Sequence, residues 1–170
     1  MNRIDAIMNR RSTRKFQDRP VEREKLESIL RAGMQAPSAK NTQCWRFLVV
    51  QEKDSLEAVS TMSPYSMCAR NAKALIITMV DKSVDRFEMG LWIQDLSAAN
   101  ENMLTQIEAE GLGGTWLGMY PFPERVQALT EYFQLPSDVM PFSVIALGYK
   151  AKEKEPEDRY DPSKVHWEAY

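Results

Sequence analysis

A chain of 170 residues, 44% hydrophobic and 27% charged, suits one globular domain with a sizeable core. Its net charge of −2 gives no global pull toward nucleic acid or an anionic membrane surface, so neither is expected as a partner. Two cysteines, Cys44 and Cys68, are too few for a disulfide framework, and with the single histidine, His166, they make no classical zinc site.

The opening MNRIDAIMNRR lacks a signal-peptide core, and no apolar run reaches the length of a membrane span. A cytoplasmic, reduced protein is the expectation. Asn2 to Arg10 reads as a short helix with Ile4, Ile7 and Met8 on one face. The basic stretch Arg10-Arg11-Ser12-Thr13-Arg14-Lys15-Phe16 ends it. Guanidinium, ammonium and hydroxyl donors this dense suit a phosphate, and a solvated basic turn is the alternative. Pro20, Glu22 and Glu24 open a second helix over 22–35, with Leu26, Ile29, Leu30 and Gly33 on its buried side. A loop over 36–42, broken by Pro37, leads to a strand at 46–50 and a helix at 53–62. Residues 74–80, ALIITMV, read as a buried strand.

The longest predicted helix covers 88–110, with Trp92, Leu96, Ala99, Met103, Leu104 and Ile107 at helical spacing. Gly111-Leu112-Gly113-Gly114 stops it and leads to a strand over 115–119. A helix at 124–132, a core strand at 142–149 and a polar tail over 150–170 complete the chain. The initial helix pair and uneven connections favour an α+β sheet with helices on both faces over a doubly wound fold. No phosphate-loop motif is present. The glycine run follows a helix and precedes a strand, the reverse of a dinucleotide fingerprint.

Three stretches together resemble the nitroreductase family of FMN-dependent flavoproteins. Arg10-Arg11-Ser12-Thr13-Arg14 is similar to its N-terminal phosphate segment. Residues 36–47, APSAKNTQCWRF, are similar to its A-P-S-x-x-N-x-Q-P-W-x-F loop and strand. Residues 111–118, GLGGTWLG, are similar to its G-L-G-x-x-W-x-G segment. The tail, with Glu157-Asp158-Arg159-Tyr160 and Val165-His166-Trp167, also resembles short members. The resemblance implies an α+β nitroreductase-like fold: a mixed, mostly antiparallel sheet flanked by helices in a domain-exchanged homodimer. It implies one domain over 1–170, with 150–170 an arm docking on the partner subunit.

It also implies roles for particular residues. Arg10, Ser12 and Arg159 would hold the terminal phosphate of FMN, and Arg11 a backbone or ribityl contact. Arg14 would lie toward the pyrimidine edge, where positive charge favours the anionic reduced ring. Pro37, Ser38, Asn41 and Gln43 would cover the flavin from the other subunit. Thr115, Leu117 and Gly118 form the strand against the ring, with the Gly118 N–H at flavin N5. An ordinary polar loop remains the alternative for 36–43, a helix stop for Gly111, and a core role for Trp45.

Two departures stand out. Cys44 replaces a common proline and reads as a buried thiol. Met67 stands where short relatives carry a lysine near flavin N1/O2, so Arg70 replaces that charge or Arg14 acts alone. Only residues 81–90 remain of a helical insertion found in longer members, which implies a wider or less defined substrate pocket. No side chain is needed as nucleophile or metal ligand, and His166 reads as a surface or packing residue. The implied activity is ping-pong hydride transfer from NAD(P)H through FMN to nitroaromatics, quinones or similar small-molecule electron acceptors. An FMN carrier or redox sensor with little turnover is the alternative.

Overall fold

A computed structural model describes residues 3–84 and 87–170. The helix start expected at Asn2, the side chain of Ile4 and residues 85–86 of the 81–90 stretch lie outside the described residues.

Helices α1 (Arg3–Asn9) and α2 (Arg23–Met34) precede the first strand, β1 (Trp45–Val50). Helix α3 (Lys53–Thr61), strand β2 (Ala74–Asp81) and helix α4 (Trp92–Ala109) follow. The chain then forms β3 (Gly113–Gly118), α5 (Pro123–Tyr132) and β4 (Val139–Gly148). The strands pair antiparallel in the order β1-β2-β4-β3. The parallel pairing recorded is an isolated bridge between Ser12 and Gly114.

Alternation along the two central strands builds the layers. Leu75, Ile77 and Met79 of β2 join Val144 and Ala146 of β4 beneath α3 and α5. Ala74 and Ile76, with Ile145 and Leu147, turn to the opposite face and meet α2 and α4. A sheet covered on both faces explains why 74–80 reads as a continuous apolar run. Leu26, Ile29 and Gly33 recur on the buried side of α2. Gly33 admits a close helix crossing, because a Cβ there would meet Met103 of α4 at 2.8 Å.

A third cluster at one end of the sheet gathers Cys44, Trp45, Trp92, Leu96 and Phe142, giving Trp45 its core role. Polar side chains also tie α4 to the sheet. Thr78 donates to Asn100 Oδ1 at 2.7 Å, and Asn100 Nδ2 donates to Ser143 Oγ at 2.6 Å. Buried polar atoms need such partners.

The main departures from the sequence-based spans fall at glycines. Helix α4 begins at Trp92 rather than 88, because Gly90, at φ 71°, separates it from a 3₁₀ turn over Phe87–Met89. Gly111, at φ 74°, ends the helix as expected. Gly113 and Gly114 belong to β3 rather than to the turn. They give other segments room to approach: a Cβ on Gly113 would meet Thr13 Oγ1 at 2.6 Å and Lys150 Cγ at 2.7 Å.

Candidate active site

The basic stretch after α1 runs along the outer edge of β3. Thr13 N–H donates to Gly114 C=O at 2.9 Å, so Gly114 turns its polar backbone away from β4. In an antiparallel pair this direction repeats at every second residue, which points the N–H groups of Trp116 and Gly118 to the same outer edge. The Gly118 C=O accepts from Arg125 Nη1 at 3.1 Å.

Three grooves follow one another along this segment. The first, about 330 Å³, is lined by Ile7, Met8, Arg10, Arg11 and residues 157–160. Arg10 pairs with Glu101 at 3.3 Å, and Arg159 donates to Glu157 at 3.3 Å. Arg11 reaches the Glu157 carbonyl at 3.3 Å. The second groove, about 620 Å³, lies between residues 12–15 and residues 152–155. Lys154 Nζ donates to the Ser12 carbonyl at 2.9 Å there. The third, about 510 Å³, is lined by Arg14, Tyr65, Trp116, Leu117, Gly118, Phe122 and Arg125. Arg14 borders the second and third grooves alike.

The structure places Arg10, Arg11 and Arg159 at the first groove, Ser12 at the second, Arg14 at the second and third, and Leu117 and Gly118 at the third. Thr115 lies within the same strand, buried, and its hydroxyl has no hydrogen-bond partner among the described residues. Gly118 is open, and a Cβ there would meet nothing within 4 Å. Met67 starts a 3₁₀ turn (Met67–Asn71) and is 64% exposed, next to Tyr65 but outside the lining of the third groove. Arg70 is turned away: it pairs with Glu57 of α3 at 3.2 Å and donates to Ser60 Oγ. Like Met67, it lines none of the three grooves.

Pro37, Ser38, Asn41 and Gln43 line none of these grooves. Their loop is held on α4 by the Ala39 N–H, which donates to Asp95 Oδ1 at 2.9 Å. Internally, Gln43 N–H donates to Ser38 Oγ at 3.0 Å, and Gln43 Nε2 to Asn41 Oδ1 at 3.0 Å. Lys40, Asn41 and Gln43 all adopt positive φ. Cys44 is buried beside Asp95, and burial followed by the Asp95 charge pushes its thiol up to about 11. That describes an inert thiol.

Sequence reasoning missed Tyr65, Phe122, Arg125, Lys152 and Lys154. The alternating Lys152 and Lys154 just past the last strand were a visible signal, since that spacing points both to one side of an extended chain. Tyr65, Phe122 and Arg125 come together only through the fold.

Fold and grooves define a class: a three-layer α+β protein whose open sheet edge borders a groove lined by Arg14 and Arg125, with two further grooves of mixed charge, lined by basic residues and by Glu153, Glu155, Glu157 and Asp158. The profile of the nitroreductase family matches residues 7–83. A protein of Archaeoglobus fulgidus, provisionally named NADH dehydrogenase/NAD(P)H nitroreductase, is 40% identical over 98% of each chain. The FMN-dependent nitroreductase of Clostridium difficile R20291 superposes with a TM-score of 0.90 at 30% identity, covering 98% of this chain and 99% of that one. A Desulfovibrio desulfuricans structure, provisionally a nitroreductase and in complex with FMN, superposes at 0.85 with 30% identity, covering 100% and 98%. The chain belongs to the nitroreductase family.

The residues present fit the family's cofactor. Arg10, Arg11 and Arg159 come together at the first groove, beside Glu157 and Asp158, and guanidinium groups so placed suit a phosphate. Outward strand N–H groups lie at the third groove, where the open face of Gly118 leaves room for a planar ring; the buried Thr115 hydroxyl lines none of the three grooves. Among the described residues no group of three or more potential metal ligands occurs, and no helix is long and apolar enough to cross a membrane.

Proposed function

We propose that this chain is an FMN-dependent oxidoreductase that transfers hydride from NAD(P)H to nitroaromatics, quinones or similar small acceptors by a ping-pong sequence. With a quinone the balance is NAD(P)H + H⁺ + quinone → NAD(P)⁺ + hydroquinone. Bound FMN supplies the redox chemistry, accepting a hydride and passing two electrons on. The carrying observation is the groove lined by Arg14 and Arg125 around the open glycine Gly118.

The chain's own residues bind and orient. Arg10, Arg11, Ser12 and Arg159 hold the phosphate end. Arg14 places positive charge where the reduced ring carries its negative charge. The outward N–H of Gly118 meets the ring, with Thr115 and Leu117 behind it. Nucleotide and acceptor use the third groove in turn, which is the physical content of a ping-pong sequence.

Pro37, Ser38, Asn41 and Gln43 complete the site from a second copy in a homodimer. Their position off the cleft of their own chain supports this, as do the exposed Ile7, Met34, Trp167 and Tyr170. One domain spans 1–170, because all flanking helices share one sheet. The arm over 150–170 divides in two. Its first part lies along its own chain, where Ala151 N–H donates to Lys15 C=O at 3.1 Å, and its aromatic end reaches the partner.

The purified protein is expected to be yellow. Boiling it should release FMN into the supernatant, and recovery of FAD or of no flavin refutes the cofactor reading. Parallel double-reciprocal plots for NAD(P)H and menadione are the expected kinetics. Intersecting plots exclude ping-pong, and absence of menadione-dependent oxidation makes the protein a flavin carrier or sensor instead.

A further inference from the structure

We propose that Arg125 is an anion anchor in the acceptor pocket, selecting planar aromatic acceptors that carry a carboxylate or sulfonate over neutral analogues. The inference rests on the oxidoreductase reading above and names the acceptor class of that same site.

The third groove has an unusual lining. Arg14 and Arg125 supply two cations, Tyr65, Trp116 and Phe122 supply aromatic surface, and among the described residues no carboxylate lines it. Arg14 also borders the second groove and belongs to the cofactor's side of the cleft. Arg125 has no such role.

Arg125 projects from the first turn of α5, and its side chain is only 13% exposed. The guanidinium lies 3.8 Å from the Phe122 ring centroid and 6.0 Å from that of Tyr65. Nη1 donates to Gly118 C=O at 3.1 Å. The carboxylate recorded beside it is its chain neighbour Glu124, at 4.0 Å, the outer limit of an ion pair, and 70% exposed. A guanidinium has five donors. Here it is held against Phe122 and largely withdrawn from water, and among the described residues its hydrogen-bond partner is the Gly118 carbonyl. A largely buried cation without a close carboxylate is poorly compensated, and an anion bound in the same pocket would pair with it. The planar fork suits two coplanar oxygens, and aromatic walls suit the ring that bears them.

The balanced reaction for such an acceptor is NAD(P)H + H⁺ + R–NO₂ → NAD(P)⁺ + R–NO + H₂O. The anionic substituent of R rests on Arg125 and takes no part in bond changes.

The matched pair 4-nitrobenzoate and 4-nitrobenzamide tests this on the FMN-loaded protein. The parent should prefer the benzoate in kcat/KM, and the preference should shrink at high salt. Arg125→Met should lower the benzoate-to-benzamide ratio about tenfold or more, the equilibrium worth of a charge-assisted hydrogen bond. Arg125→Lys should retain part of the preference. An unchanged ratio, or a parallel loss for both compounds, overturns the anchor and leaves Arg125 a structural cap on Gly118. Calorimetric titration with 4-nitrobenzoate needs no turnover. Saturable binding that Arg125→Met abolishes supports the anchor, and equal binding to both proteins overturns it. A preparation that retains no FMN overturns the oxidoreductase reading separately.

Discussion

A buried ion pair lies beside the basic segment, which makes Glu108→Gln an informative perturbation. Glu108 lies in the last turn of α4 and Lys150 just past β4, with Oε1 and Nζ 2.6 Å apart. Their side chains are only 5% and 12% exposed. A second carboxylate, Glu153, reaches the same ammonium at 3.1 Å but is 79% exposed. The Lys150 stem packs over Gly113 beside Thr13, so the pair joins α4, β3 and the basic segment. Breaking a buried pair by removing one partner costs about 3–5 kcal/mol. Glutamine keeps an acceptor oxygen and Glu153 keeps part of the charge balance, so the lower end, about 3 kcal/mol, is expected. In a domain of this size that lowers Tm by about 6–12 °C. Urea unfolding measures the loss directly. Glu108→Leu with Lys150→Met should recover most of it, because the apolar pair leaves no buried charge. Burial pulls the Lys150 ammonium toward neutrality, but bonding to Glu108 and then Glu153 outweighs this and raises its pKa above 10.5. The pair's stabilisation is therefore complete below 10.5 and lost as pH rises through the folded value. The alkaline limb of the stability profile should flatten in Glu108→Gln. A loss below about 1 kcal/mol would place the pair with exposed surface bridges and refute the reasoning.

Three further outcomes are expected. Arg10→Ala should weaken FMN binding by about 1.5–3 kcal/mol. It should change folding stability little, since its partner Glu101 is 56% exposed; flavin-fluorescence titration reads the first and urea unfolding the second. Met67→Lys should raise the flavin midpoint potential slightly, and less at high salt, because position 67 is 64% exposed and a new ammonium there stays hydrated. An unchanged or lower potential means that Met67 does not face the flavin. Glu22 is held at about 2, chiefly by the Tyr149 hydroxyl, which donates to it at 2.7 Å. Its contribution is present above 4.5 and lost as pH falls toward 2, so Glu22→Gln should flatten acid unfolding across that window, and an unaltered profile removes the contribution.

What was legible in the sequence divides by the range of the interaction. Elements set by local periodicity were readable: β2 from its apolar run, α2 from Leu26, Ile29 and Gly33, and the end of α4 from Gly111. The chemical character of residues 10–14 was also legible, because six consecutive donor-bearing residues from Arg10 to Lys15 do not depend on packing. The start of α4 was misread because Trp92 and Glu88 share a helical phase, and only the positive φ of Gly90 breaks it. The fate of Arg70 could not be read, since it depends on Glu57 and Ser60 standing one helix away. The aromatic and Arg125 walls of the third groove were hidden for the same reason. Tyr65 and Phe122 lie far apart in sequence and meet only because β3 carries α5 toward the turn that precedes β2.

The cleft lies where the sheet leaves its backbone groups unspent. An edge strand presents a row of polar groups that must be paired, covered or used. Along β3, Gly114 gives its carbonyl to Thr13 at one end, and Gly118 gives its carbonyl to Arg125 at the other. Between and beside these two closures the N–H groups of Trp116 and Gly118 remain on the outer edge, in a groove whose charged lining is Arg14 and Arg125. A side chain at Gly118 would stand in that space, which is otherwise empty around the position. Two peptide donors and two guanidinium groups on one open edge attract electron density from whatever planar group settles there. The same features that leave the edge incomplete as a sheet make it complementary to a ring that gains negative charge on reduction.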